Sequence, residues 1–404
     1  MTFEQTFFLK CMGDYCNHIN KEYSLNNLDM DALFKIAKEQ SLGGILYSQI
    51  QKDIGHEVGE NAYQKNLIQD VFFSINRKYL LQEICEEFEK NQISFICFKG
   101  SVLRNYYPTP ELRSMGDIDI LIHPEDREKS DSIMVDILGY KKYVDNHDVW
   151  TYNIRQFEIE VHTHMFYEEM PNHYDYRTYF DSIWNHCENK EVFGLKYPNM
   201  YIPEEPFHFL YLIAHVAKHI LNKGIGFRAY LDLVFLTKRI DEKKWCYIVD
   251  ELEKIHLLDF SRNVLGLCEN WFSVKMPINS EKIDDLFYEE VITKTFKDGT
   301  FGLSNTQNKG ADPAKVILSE NKNYWISLIK YIIRKLFPPY RDMQLIPWYS
   351  FIDGKPWLMP IAWIYRWLYC IIHKFEYGMD ILLEPVYEKK KVINRESYIH
   401  KWKL

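Results

Sequence analysis

Apolar positions recur along this chain with two different periods, and the change of period marks where its parts meet. From about Asp29, Leu33, Ile36 and Ala37, and then Leu42, Ile45 and Leu46, repeat at three- and four-residue steps, the spacing of helices that bury one face. Gly43-Gly44 predicts a break between them. Leu80, Ile84 and Phe88 stripe a further helix over roughly Asn76 to Lys90, which Asn91-Gln92 closes. The period then shortens to two. Ile93 to Phe98 is an apolar run broken only by Ser94. Asp117 to Ile122 reads Asp-Ile-Asp-Ile-Leu-Ile, and Phe157, Ile159 and Val161 alternate with Glu158, Glu160 and His162. These three stretches are predicted strands, with Tyr140 to Tyr143 and Val149 to Arg155 as two more. Pro124 with Glu125 and Asp126 opens a helix between them, and Gly139 caps its end.

The alternation carries the chemistry. A strand sends Asp117 and Asp119 to one face, and two like charges about 7 Å or less apart on a half-buried strand raise each other's pKa unless a cation neutralises them. A divalent metal such as Mg²⁺ is the natural candidate, and a two-metal site needs carboxylates able to bridge ions about 3.5–4 Å apart. Glu160, on the polar face of its own strand, is the third carboxylate. Lys99-Gly100-Ser101 ends one strand and opens a helix. Gly100 lets backbone approach a ligand, Ser101 offers a hydroxyl and an N–H where phosphate is favoured, and Lys99 and Arg113 add countercharge.

Taken together, Gly-Ser after a strand, Asp-x-Asp within an apolar strand and an acid on a later strand resemble the polymerase-beta-type nucleotidyltransferase superfamily. The order Ile-Ser-Phe-Ile-Cys-Phe-Lys-Gly-Ser-Val-Leu, Arg-x-x-x-Asp-Ile-Asp-Ile-Leu-Ile, Glu-x-His and His-x-x-Lys-His more closely resembles a family of bacterial nucleotidyltransferases whose substrates are largely unassigned. The likeness runs over roughly residues 30 to 260. Fifteen residues separate Ser101 from Asp117, longer than the superfamily's usual linker, a feature the narrower family shares. The resemblance implies an enzyme that takes a nucleoside triphosphate, ATP among the candidates, with two Mg²⁺ ions or Mn²⁺ in their place, transfers the nucleoside monophosphate to a hydroxyl or other acceptor, and releases pyrophosphate. It implies that Asp117, Asp119 and Glu160 hold the metal, with Glu160 toward the acceptor. Gly100 and Ser101 would then hold phosphates, Lys99 and Arg113 would assist, and His162 would orient Glu160 or the acceptor. A rival reading keeps the fold but not the turnover: an inactive nucleotide- or partner-binding module, which loss of a carboxylate or of Gly-Ser would favour. None of these residues is missing.

The expected fold is α+β: a small mixed sheet with helices on one side, flanked by N-terminal helices and a larger C-terminal helical region. Residues 1–75 are expected to form a helical cap and 76–200 the nucleotidyltransferase core. Residues 188–206 read as a connector, 205–275 as a helical region lining the cleft, and 276–404 as an aromatic-rich helical region with a mobile loop near 304–315. On the helix from Phe207 to Leu221, His215 and His219 share a face one turn apart. They are a structural pair or, with Lys218, contacts to substrate or triphosphate, as the family's histidines and lysine imply. No Glu follows His215, so the zinc-protease pattern is absent. Arg228 and Asp232, four apart, read as an intrahelical ion pair.

Charge and composition narrow the acceptor. A net charge of −8 argues against a general nucleic-acid binder, so a small-molecule or protein acceptor is favoured over nucleic acid. Eight scattered cysteines without a Cys-x-x-Cys pair suggest reduced thiols in a cytoplasm, and the N-terminus lacks a signal-peptide pattern. The run from Trp357 to Ile372 is too short to span a bilayer and contains Arg366; it reads first as a buried helix, otherwise as an interfacial contact through 357–372. The lysines from Lys389 onward read as a solvated tail.

Overall fold

Strand alternation gives the sheet a core on each face. The computed structural model describes residues 1–54, 60–145, 148–168, 170–222, 224–278, 283–300, 302, 324–343, 346–373, 379 and 389–404. Seven strands form one mixed sheet in the order β3-β4-β5-β2-β1-β7-β6: β1 is Phe95–Cys97, β2 Asp117–Ile122, β3 Lys141–Asp145, β4 Val149–Ile154, β5 Phe157–His162, β6 Cys187–Glu188 and β7 Met200–Pro203. Helices before and within the sheet region are α1 (Phe3–Cys16), α2 (Met30–Glu39), α3 (Gly43–Ile50), α4 (Glu60–Lys90), α5 (Gly100–Leu103), α6 (Arg127–Ser132) and α7 (Tyr176–Asp181). Those after it are α8 (Glu205–Asn222), α9 (Phe227–Thr237), α10 (Lys244–Lys254), α11 (Leu258–Phe272), α12 (Asp285–Asp298), α13 (Tyr324–Leu336), α14 (Tyr340–Met343), α15 (Met359–His373) and α16 (Lys389–Lys401). The α+β class expected from the alternating periods is the class observed.

On one face of the sheet, Phe95, Ile118, Ile120, Ile122, Ile159 and Val161 pack against Leu81, Ile84, Cys85 and Phe88 of α4. Each such side chain, taken from water, contributes about 1.5–3 kcal/mol. The other face gives Ile96, Phe98 and Leu121 to a larger core shared by α1–α3 and α8–α12. Helix α8 is apolar nearly all round because it is enclosed: Phe98 meets Tyr211 edge-on at 5.7 Å, and Phe180 meets it at 5.6 Å. At Gly13 a Cβ would lie 2.9 Å from the Phe272 carbonyl oxygen, so glycine lets α1 cross α11 this closely.

Four expectations change. The helix expected from Asn76 runs from Glu60, through a polar stretch whose weak stripe hides a continuous helix. The connector read over 188–206 holds β6 and β7, and β7 pairs parallel with β1; their two and four residues are too short for a period to register. Only part of the C-terminal lysine-rich segment is a solvated tail, because Tyr398, Ile399 and Trp402 are buried in the larger core. And α15 is not enclosed: Ile361, Ile364, Leu368 and Ile372 are each more than half exposed, while Met359, Ala362, Trp363, Tyr365 and Trp367 make its packing contacts among the described residues. The loop expected near 304–315 lies outside the described residues.

Candidate active site

Parallel pairing of β2 with β5 sets Asp117 opposite Glu158, Asp119 opposite Glu160 and Leu121 opposite His162. Because both strands alternate, the acids and His162 all face away from α4. Together with residues of α8 and α9 they enclose a cavity of about 630 Å³. His162 Nε2 lies 3.1 Å from Asp119 Oδ1 and 3.2 Å from Glu160 Oε2. With no cation between them, two carboxylates around one ring nitrogen call for a proton on that nitrogen, and a metal ion bound there would take the proton's place. Asp119, Glu160 and His162 each bring one ligand atom to within 4.8 Å of the others, a group able to hold a metal ion, and Asp117 stands two residues along the same strand face.

Lys99 joins this cluster through an unusual backbone. Its φ of 49° and ψ of −126° belong to a region that side-chain-bearing residues rarely adopt, a strain of about 1–3 kcal/mol. Two contacts hold it there. Its ammonium lies 2.6 Å from Asp119 Oδ1, and its backbone N–H donates to His208 Nε2 at 3.3 Å. Complete burial drives the His208 pKa down to about 3, which keeps the ring neutral and able to accept that bond. His208 is not among the residues the sequence motifs single out.

The remaining expected residues fall in three places. Gly100 lines the cavity, and a Cβ there would sit 2.7 Å from Arg113 Nη1. Ser101 is wholly buried. Arg113 is turned toward Asp232, whose oxygens take its Nε at 2.9 Å and Nη2 at 2.7 Å, while the Tyr107 hydroxyl donates to the same carboxylate at 2.8 Å. Asp232 is thus held by Tyr107 and Arg113 from the segment before β2, and it also attracts Arg228 one turn back on α9. His215 and His219, which also line the cavity, face each other through their Nε2 atoms at 3.0 Å, and Lys218 pairs with Glu168 at 2.7 Å.

Two arginines outside the expected set complete the frame. Arg77 Nη2 donates to the Gly116 carbonyl at 3.2 Å, and Arg228 Nη1 donates to the Ser114 carbonyl at 3.1 Å, which Arg113 Nη1 also reaches at 3.2 Å. Three guanidinium groups therefore brace the four residues that lead into Asp117. They come from α4, α9 and the segment itself, so only the fold brings them together.

This crowding sets the charge of the carboxylates. Burial, with the neighbouring Asp119, pushes Asp117 up to about 6. Burial would also raise Asp119, but Lys99 and His162 outweigh it and hold that carboxyl down at about 2. For Glu160 burial is again the largest influence, and the His162 hydrogen bond leads the contacts that leave it below the usual range. The site thus keeps Asp119 and Glu160 ionised and opposes a third carboxylate charge at Asp117. That is the electrostatic condition a bound cation relieves.

Comparison with known proteins agrees with this geometry. No curated protein and no solved structure matches the chain. A family model described as an uncharacterised nucleotidyltransferase matches residues 26–273, well over half of the 404 residues and all of the elements that build the cavity from α4 to α9. The chain belongs to this family of uncharacterised nucleotidyltransferases.

Proposed function

We propose that the protein is a divalent-metal-dependent nucleotidyltransferase that moves a nucleoside monophosphate from a nucleoside triphosphate to an acceptor. The observation that carries this reading is the convergence of Asp119, Glu160 and His162, with Asp117 beside them, at the wall of a cavity large enough for a nucleotide. Oxygen-rich donors with one imidazole fit Mg²⁺ or Mn²⁺, and the Lys99 ammonium on Asp119 marks where positive charge is required. Asp117, Asp119 and Glu160 would hold the ions, which supply charge neutralisation and an acidified acceptor hydroxyl when bound.

The chain's own residues supply the rest. An acceptor oxygen forms a bond to the α-phosphorus, and the bond from that phosphorus to the bridging oxygen breaks, so pyrophosphate leaves with the electron pair. Glu160, ionised and exposed to the cavity, takes the acceptor proton, and His162 fixes its orientation. The close approach at Gly100 and the cations Lys99 and Lys218 serve the triphosphate. His215 and His219, which line the same cavity as the carboxylates, contact substrate. Braced by Arg77, Arg113 and Arg228, Asp117 does not have to reorganise during the reaction, which is where preorganised electrostatics saves most. Acidic net charge favours a small-molecule or protein acceptor.

The test is to incubate wild type and Asp119→Asn with each nucleoside triphosphate labelled at the α-phosphate, with Mg²⁺ or Mn²⁺ and a metabolite extract. Label reaching an acceptor with wild type alone supports transfer. If no label moves, and Mn²⁺ binding followed by electron paramagnetic resonance is equal in both proteins, the metal reading fails and a nucleotide-binding module replaces it.

A further inference from the structure

Beyond the residues that match the family, the chain builds a small unit with its own core of Met343, Tyr349, Ile352, Met359 and Ala362. Trp363 and Trp367 of α15 donate indole N–H groups to the Pro338 and Leu336 carbonyls at 2.9 and 2.7 Å, and both rings meet Phe337 edge-on. Helix α15 is thereby tied to the end of α13. The unit turns its apolar side chains outward. Ile326, Ile329 and Ile333 on α13, and Ile364, Leu368 and Ile372 on α15, are spaced by three or four residues and are 49–70% exposed. Trp348 and Trp357, in the turns between the helices, are 67% and 70% exposed. A soluble surface seldom exposes this many large apolar side chains on one small unit without something to cover them.

Charge identifies the cover. Residues 324–373 hold six basic side chains, Lys330, Arg334, Lys335, Arg341, Lys355 and Arg366, against Asp342 and Asp353, a surplus of four in a chain whose total is −8. A second copy of the unit would bring the same surplus against itself. A bilayer with anionic headgroups offers both an apolar interior for the isoleucines and phosphates for the bases, and tryptophan settles at the boundary between them. The geometry is that of a helix lying in the boundary. At about 1.5 Å per residue α15 is roughly 22 Å long, short of the ~30 Å hydrocarbon layer, and no described helix is long and apolar enough to cross a membrane.

We propose that α13 and α15 dock the protein on an anionic bilayer, with Ile329, Ile333, Ile364 and Leu368 entering the headgroup boundary and exposed bases such as Lys330, Arg334 and Lys355 meeting lipid phosphates. The full chain is floated with vesicles of phosphatidylcholine alone and of phosphatidylcholine mixed with phosphatidylglycerol. Wild type is expected to partition at least about tenfold more strongly into the anionic vesicles and to lose that preference in high salt, since each basic residue at the surface is worth about fivefold. Ile329→Asp/Ile364→Asp, on exposed positions, should lower binding by about tenfold or more with an unchanged circular dichroism spectrum. Lys330→Gln/Arg334→Gln should weaken binding to the anionic vesicles alone. Wild type that ignores both kinds of vesicle, or Ile329→Asp/Ile364→Asp that binds like wild type, overturns the proposal. So does a wild-type dimer, seen by sedimentation, that the double aspartate variant splits without any vesicle binding.

Discussion

Along β2, Ile118, Ile120 and Ile122 are fully buried against α4 while Asp117 and Asp119 look into the cavity; along α15 the same residue type, at Ile361, Ile364 and Ile372, is 52–70% exposed. In the strand, alternation obliges every second residue to face each way, so the apolar face fixes the position of the charged one. In the helix, packing along one side leaves the opposite side to whatever the molecule meets. An isoleucine in the first setting holds a site in place, and in the second it contributes little to the fold. The matched family domain and the unit beyond it therefore spend apolar residues on different ends, and substitutions can separate them.

The largest effect is expected on the charged face. Asp119→Asn removes the group that Lys99 and His162 both hold, and should lower transfer by about a thousandfold or more, several kcal/mol of transition-state stabilisation. Single-turnover assays measure it. Near-normal transfer would move the metal site off β2.

Next comes the apolar face. Ile120→Ala opens space in a fully buried position and should cost about 2–5 kcal/mol in urea unfolding. Transfer per folded molecule should stay within about threefold of wild type, because the change deletes methyl groups on the side away from the carboxylates. A loss of activity as large as that of Asp119→Asn, with the protein folded, would show that the two faces are not separable in this way.

A third, smaller effect belongs between the two faces, at His208. In the folded protein burial holds this ring neutral down to about pH 3, whereas in the unfolded chain it takes a proton near pH 6.5. Below pH 6.5 the unfolded state therefore binds more protons, and stability is lost as pH falls, by about 1.4 kcal/mol per unit at most. The buried His215 shifts in the same direction and adds to the wild-type slope. His208→Gln keeps an acceptor for the Lys99 N–H and should flatten the loss between pH 6.5 and about pH 5 by about 1–2 kcal/mol. Urea unfolding at several pH values measures the difference between the slopes, and equal slopes would remove His208 from the account.

How much of this was legible in the chain follows from the range over which each feature is encoded. The alternation Asp-Ile-Asp-Ile-Leu-Ile and Phe-Glu-Ile-Glu-Val-His is local, and it places Asp117, Asp119, Glu160 and His162 on faces without knowledge of the fold. The turn at Lys99-Gly100-Ser101 is local too, although nothing in it foretells that Lys99 takes the strained conformation beside its glycine. The arginine brace is not local. Arg77 reaches Gly116 across 39 residues, and Arg228 reaches Ser114 across 114. Arg113 binds Asp232 across 119, a partner that the four-residue spacing of Arg228 and Asp232 does not reveal. His208 escaped for a related reason: on a helix most of whose residues are buried, no periodicity distinguishes an imidazole that supports the site from one that fills the core.

The smallest effect returns to the opening contrast with the substitution held constant. Ile364→Ala removes the same atoms as Ile120→Ala, but Ile364 is 52% exposed in the folded protein and has little water-free contact to lose. Its stability cost should be within about 0.5 kcal/mol. If unfolding instead shows a cost near that of Ile120→Ala, the outer side of α15 is covered in the folded chain itself. The exposed isoleucines would then belong to the core, and the surface proposed to meet a bilayer would not exist. If the cost is small while vesicle binding falls, the one residue type serves folding in β2 and association in α15, and the difference lies in packing alone.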